Sequence, residues 1–168
     1  MRKIIFFLTI IIFLSSLFFL KITETTKVKA VETSVQAETN YPIRVVIPKI
    51  DIDLPVKIAQ IVDGYWEVHD DYVSWGAESG LPGKNGNQVL FAHNKVDFFA
   101  RLPELVSGDL VYVYSNNQMF KYVILNTKSV KPSDKSVIAA SQDEIITLYT
   151  CDGPRDSLRF VASGIRAL

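Results

Sequence analysis

The chain has 168 residues, 48% of them apolar, with 18 basic side chains set against 18 acidic ones, one cysteine and two histidines. That length is one domain's worth of sequence, and the balanced charge gives no electrostatic case for a nucleic-acid partner. A single Cys excludes an intrachain disulfide and a multi-Cys zinc cage, and two His leave little room for a mixed metal site.

In chain order, Arg2 and Lys3 precede an uncharged run from Ile4 to Leu20 that Lys21 closes. As a helix this run reaches about 25 Å, inside the range that spans a hydrocarbon core with help from flanking residues. Residues 1–21 therefore read as an N-terminal transmembrane helix. A signal peptide is the competing reading, with Val28-Lys29-Ala30 as its cleavage site. The run is longer than a signal core and that site lies well beyond it, which favours a retained anchor. Flanking basic residues are balanced and do not set the orientation. Residues 22–40, rich in Thr, Glu, Lys, Ser and Val without periodic order, read as a solvated extracytoplasmic linker. The first thirty residues hold five basic and one acidic side chain, so the remainder carries 13 basic and 17 acidic, a formal charge of −4. It reads as an exported domain over 41–168, large enough for one core.

That domain is written in short apolar runs between turn residues, so the pattern predicts a mainly β structure. Strands are expected at Ile43–Ile47, Leu54–Ile58, Tyr65–Val68, Gln88–His93, Leu110–Tyr114, Met119–Lys128, Ile145–Thr150 and Leu158–Ile165. Eight strands in this length predict a closed barrel. Asn116-Asn117 between two alternating runs predicts a hairpin turn, because Asn tolerates positive φ. Asp70 to Asn87, with four Gly and Pro82, reads as a long connection holding at most a short helix. Phe98–Leu105 predicts one helical turn limited by Pro103, and Pro132–Ala140 another, with Ser133 and Asp134 as acceptors.

Cys151 is the only thiol and ends an apolar strand. A lone Cys is commonly a small buried hydrophobe. Here Asp152-Gly153-Pro154 stops the strand at the thiol and places it at a rim, while Arg155 and Arg159 supply positive charge that favours a thiolate. His93 also stands at a strand end, and an imidazole can pair with a thiolate and then protonate a leaving amine. His69, followed by Asp70 and Asp71, reads as structural in a solvated turn. Arg159 opens the last strand; if that strand pairs with the one ending at Cys151, its guanidinium can serve an oxyanion or a peptide carbonyl. Arg155 is the weaker candidate, and a surface ion pair is the alternative for either arginine.

Thr147-Leu148-Tyr149-Thr150-Cys151 followed by Arg159 resembles the signature of the sortases. Ile47 to Val56 is similar to that family's opening strand, and Pro82-Gly83 to Asn87 followed by Val89–His93 resembles its glycine-rich lead into the histidine strand. Phe98, Leu102, Leu105, Gly108-Asp109 and Val111 continue in the family's order. The resemblance covers about residues 41 to 168.

It implies a membrane-tethered cysteine transpeptidase on an eight-stranded barrel with a few short helices, a single-pass protein of the bacterial plasma membrane with its catalytic domain outside the cytoplasm. The implied partners are the sorting-signal peptide of exported proteins, of Leu-Pro-x-Thr-Gly type, and an amine acceptor from a wall precursor or a pilin lysine. The implied roles are Cys151 as nucleophile, His93 as general acid and base, and Arg159 as oxyanion or substrate-positioning group. Ala92 departs from the Gly that usually precedes the histidine, which leaves the role of His93 intact and changes the backbone freedom beside it. Residues 21–40 are too short to form the occluding lid of many pilus-building sortases, which favours wall anchoring over pilin polymerisation. The acids do not assemble into a calcium site, so no cofactor and no metal are expected. Two other readings stay open: a sortase-like cysteine peptidase that hydrolyses its substrate, and a tethered β-barrel binding module with an inert Cys151.

Overall fold

The computed structural model describes residues 40–116 and 118–167. The expected membrane helix over 1–21, and all of the expected linker except Asn40, lie outside the described residues.

The described strands are β1 (Arg44–Ile47), β2 (Ile52–Ala59), β3 (Ile61–Val62), β4 (Tyr65–Trp66), β5 (Val73–Gly76), β6 (Gly86–Phe91), β7 (Leu110–Ser115), β8 (Gln118–Val130), β9 (Glu144–Asp152) and β10 (Leu158–Arg166). Eight of them close a barrel in the order β1-β2-β5-β6-β9-β10-β8-β7. Two of its pairings, β2 with β5 and β6 with β9, are parallel and the rest antiparallel. Closure leaves no free sheet edge in the barrel.

The expected number of barrel strands is correct, but one member differs. Tyr65–Val68 is not a barrel strand. Only Tyr65–Trp66 is extended, and it pairs with Ile61–Val62 in a separate hairpin. Its turn is Asp63-Gly64, both at positive φ (52° and 81°), the backbone a two-residue hairpin needs. The eighth barrel strand is β5, inside the stretch expected to be a long connection. All four of its residues are buried, so it carries no alternation of apolar and polar side chains to announce it.

The helical segments are short 3-10 helices. Phe99–Glu104 falls within the expected Phe98–Leu105. In the second expected turn only Lys135–Ile138 is helical, opened by Asp134, whose Oδ1 accepts from the Ser136 backbone N–H at 3.1 Å and from Ser136 Oγ at 2.6 Å. Between β7 and β8, which pair up to Ser115 and Gln118 as the expected hairpin requires, Asn116 has φ 49°, while Asn117 lies outside the described residues.

Inside the barrel, Val45, Ile47, Leu90, Tyr122, Ile124, Ile146 and Leu148 are sealed from solvent, and Phe99, Leu102 and Leu105 plug one end. Truncating such a residue to Ala costs about 2–5 kcal/mol. β6 alternates. Leu90 points into this core, whereas Val89 and Phe91 point outward into a second cluster completed by Ala59, Trp66, Ile138 and Tyr149. That outer cluster fastens the β3–β4 hairpin and the 135–138 turn to the barrel wall.

Trp66 is the hairpin's anchor. Its Nε1 donates to the Ala77 carbonyl at 3.0 Å, and its ring stacks on Phe91 with centroids 5.8 Å apart. Phe91 in turn stacks on Tyr149 at 5.0 Å. The ring lies so close to Gly76 that a Cβ there would stand 2.6 Å from its carbons, so this position requires glycine.

Candidate active site

Cys151 sits on β9, one residue before the strand ends at Asp152, and is partly exposed. Its cross-strand partner on β10 is Arg159. Directly opposed residues project to the same face with Cβ atoms about 4.5–5.5 Å apart, so thiol and guanidinium are neighbours by strand register alone. Arg159 Nη1 donates to the carbonyls of Asp156 at 3.0 Å and Leu158 at 2.8 Å. That bracing fixes the base of the fork, while Nε and Nη2 carry its other three donors.

His93 lies two residues beyond the end of β6, not within the strand as expected. The parallel pairing of Phe91 with Tyr149, continued by two residues, brings His93 beside Cys151. Three hydrogen bonds hold that continuation. Ala92 N–H donates to the Tyr149 carbonyl at 3.4 Å, Thr150 Oγ1 donates to the Ala92 carbonyl at 2.9 Å, and Asn94 Nδ2 donates to the Cys151 carbonyl at 2.9 Å. The Ala92 methyl is packed in the main core, so the departure from glycine costs the site nothing sterically. The chain then turns, with Phe99 N–H donating to the His93 carbonyl at 3.2 Å.

All three residues line one groove of about 970 Å³ on the outside of the barrel. Its floor continues from Cys151 to Tyr149 and Phe91. One wall is the β3–β4 hairpin with Tyr65 and Trp66, and the other is the segment from Val130 to Ser141. Lys135 Nζ reaches across to the Tyr65 ring at 5.9 Å. Burial pushes the Tyr149 phenol well above the usual tyrosine range, Arg159 opposes this, and Cys151 adds to it. The floor next to the thiol is thus aromatic, and Lys84, Lys131 and Lys135 also line the groove.

The segment facing the hairpin is pinned from below. Asn87 Nδ2 donates to the carbonyls of Val137 and Ala139, and Thr147 Oγ1 also donates to Val137. Arg155 does not line the groove and occupies a left-handed position (φ 55°) in the β9–β10 turn. His69 is likewise outside, with Nε2 3.0 Å from the Ile58 carbonyl. Asp70 and Asn94 were not singled out from sequence, and both touch the assembly: Asp70 Oδ1 is 3.2 Å from His93 Nε2. Neither has a sequence signal beyond proximity to a histidine. Among the described residues no three His, Cys, Asp or Glu side chains converge as metal ligands.

A closed barrel with a thiol, an imidazole and a guanidinium along one peptide-sized groove defines a domain with a cysteine-centred site. The sortase-domain family model matches residues 45–166, and the chain belongs to the sortase family. It is 30% identical over 128 residues to sortase A of Listeria monocytogenes, a match covering 71% of this chain and 54% of that protein. The chain spans just over half the length of the curated relatives it matches. Sortase C of Clostridium perfringens SM101 superposes with a TM-score of 0.64 at 26% identity, over 74% of this chain and 68% of that one. A structure of Clostridium perfringens sortase C with the C-terminal cell wall sorting motif has the same fold, with a TM-score of 0.65 at 23% identity over 80% and 75% of the two chains.

Proposed function

We propose that this protein is a cysteine transpeptidase that cleaves a Leu-Pro-x-Thr-Gly-like sorting signal and joins the new carboxyl end to an amine. The observation that carries the reading is the pairing of Cys151 with Arg159 across β9 and β10, in a groove that His93 also lines.

The chemistry follows from the three groups. The Cys151 thiolate attacks the carbonyl carbon of the Thr residue, and the developing oxyanion is met by N–H donors of Arg159. Collapse breaks the C–N bond, and imidazolium His93 gives its proton to the departing glycine amine. A thioester and neutral His93 remain. An incoming amine attacks the thioester and loses its proton to His93, and Cys151 leaves as thiolate. One amide bond is broken and one is made, and no oxidant or metal takes part. The groove's aromatic floor suits the apolar residues of such a signal.

Residues 1–21 are assigned as a single transmembrane helix, residues 22–40 as the linker, and residues 41–168 as a catalytic domain outside the cytoplasm of a bacterial plasma membrane. The apolar run from Ile4 to Leu20 supports the first of these. Tethering confines the enzyme to the surface where membrane-bound donors and wall-precursor amines reside, which raises their effective concentration.

The test is mass spectrometry of the full chain in detergent with a Leu-Pro-x-Thr-Gly peptide library, with and without amine acceptors, against Cys151→Ala. A ligated product dependent on Cys151 is the expected result. Cleavage that no amine diverts into ligation would make the protein a hydrolase, and absence of any turnover would overturn the proposal.

A further inference from the structure

His69 lies outside the groove, yet its contacts decide what stands at the groove's mouth. Its Nε2 donates to the Ile58 carbonyl on β2 at 3.0 Å. Its backbone N–H donates to the buried Ser74 Oγ on β5 at 3.1 Å. Its ring meets Tyr72 edge-on at 6.3 Å, and Lys57 Nζ covers the Tyr72 face at 3.6 Å. On one side of Asp70, His69 is thus bonded to the barrel wall, and on the other the Tyr72 ring is held between His69 and Lys57. This places an exposed Asp70 with Oδ1 3.2 Å from His93 Nε2 and 3.4 Å from Lys95 Nζ.

The Asp70 carboxylate stands at ion-pair distance from Nε2, and its negative charge favours the form of the ring that carries a proton on that nitrogen. The ring is then oriented, and Nδ1 is left as the nitrogen that gains and loses a proton in the neutral and cationic forms. We infer that Asp70 is a positioning residue for His93, fixing the tautomer and the ring orientation with which the imidazole serves the thiol site. The inference rests on the proposed function. Lys95 shares the same carboxylate oxygen and competes with His93 for it, while Cys151 and Arg159 line the groove with His93. Removing the lysine thus frees Asp70 for the imidazole, the opposite of what a loop-holding ion pair would do.

Asp70 is 79% exposed at its side chain, so solvent screens its pull, unlike the buried aspartate of a Ser-His-Asp triad, whose loss costs about 10⁴ in kcat. The test is steady-state ligation by the full chain in neutral detergent, with Asp70→Asn, Asp70→Glu and Lys95→Met beside the wild type, and thermal midpoints recorded for each. Asp70→Asn is expected to lower kcat about tenfold with KM within about twofold, a split that marks loss of orientation more than of binding. Asp70→Glu is expected to recover part of the loss, and Lys95→Met to match or exceed the wild type. Raising salt from about 0.1 M to about 1 M shortens the screening length from about 10 to about 3 Å. It should bring the wild-type kcat towards that of Asp70→Asn while leaving the variant unchanged.

An Asp70→Asn kcat equal to the wild type, or a Lys95→Met loss equal to that of Asp70→Asn, overturns the inference. Alkylation of Cys151 by iodoacetamide separates this result from failure of the proposed function. If the wild type turns over no peptide, that function fails and the alkylation series alone decides. An Asp70→Asn rate lowered towards that of His93→Ala then supports the positioning role, and a rate equal to the wild type refutes it.

Discussion

Cys151 and Arg159 are directly paired residues of adjacent antiparallel strands, so their proximity is a property of sheet register and not of a flexible loop. A loop contact enters only afterwards, when the Asp156 carbonyl joins that of Leu158 in bracing Nη1. Arg159→Ala should therefore leave the fold intact and remove a preorganised donor. The expected fall in kcat is about two to three decades, the range for losing one oxyanion-hole group. Arg159→Lys should restore activity only in part, because a point charge lacks the planar fork. Steady-state kinetics on both variants test this, and an Ala variant within a factor of two of wild type would remove Arg159 from the chemistry.

Asn94 makes the one side-chain bond from the histidine turn to the cysteine's own backbone among the described residues. Asn94→Ala frees the turn while leaving the buried Thr150–Ala92 bond in place. Misplacement of a reacting group by about 1 Å can cost 10²-fold. Since the two bonds at Ala92 survive, kcat should fall about tenfold, with a stability change of about 1 kcal/mol. Kinetics and a thermal melt measured together check the pair of values.

Much of this arrangement was legible before the structure, and for a physical reason. Cys151, Arg159 and the facing ends of β9 and β10 are fixed by apolar runs and an abrupt turn between them, both local in sequence. The count of eight barrel strands was legible as well, but β5 was not. It is four residues long, buried on both faces, and joined to its parallel neighbour through an excursion that contains the β3–β4 hairpin. Asp63-Gly64 did carry the turn signal for that hairpin, but strands of two residues leave no period to read. Asp70 was illegible for another reason. It is 23 positions from His93 in the chain, and only the tertiary fastening of His69 and Tyr72 brings the two together.

Gly76→Ala tests whether the hairpin wall depends on the close approach of Trp66. The new methyl would meet the indole at 2.6 Å, and overpacking of this kind costs about 1–3 kcal/mol. Displacing Trp66 should also loosen its stack on Phe91 and widen the groove, raising KM for peptide more than it lowers kcat. Trp66→Leu removes the obstructing ring, so the double variant should be more stable than the sum of the two single losses predicts. Denaturant unfolding of the four proteins measures this coupling, and strict additivity would show that the two positions do not compete for space.

Tyr122 supplies a test of stability against pH. The residue is sealed inside the barrel and its hydroxyl donates to Glu144 Oε1 at 2.8 Å. Burial, followed by the hydrogen bond to the Glu144 carboxylate and its negative charge, pushes the phenol far above the ordinary tyrosine range, with Arg166 opposing. The folded state consequently keeps a proton that the unfolded chain releases near pH 10. Bound protons are then fewer in the unfolded state, so stability is unaffected below about pH 10 and falls as pH rises beyond it, by up to about 1.4 kcal/mol per unit for this group. Tyr149 adds a slope of the same sign through its own burial. Tyr122→Phe should lose some stability at neutral pH, because Glu144 forfeits a donor and keeps only the Gly83 N–H at 2.8 Å and the more distant Arg166. It should also show a shallower decline between pH 9 and about pH 11 than the wild type. Urea unfolding across that range decides the matter: an unchanged slope in Tyr122→Phe would mean that some other group governs alkaline unfolding.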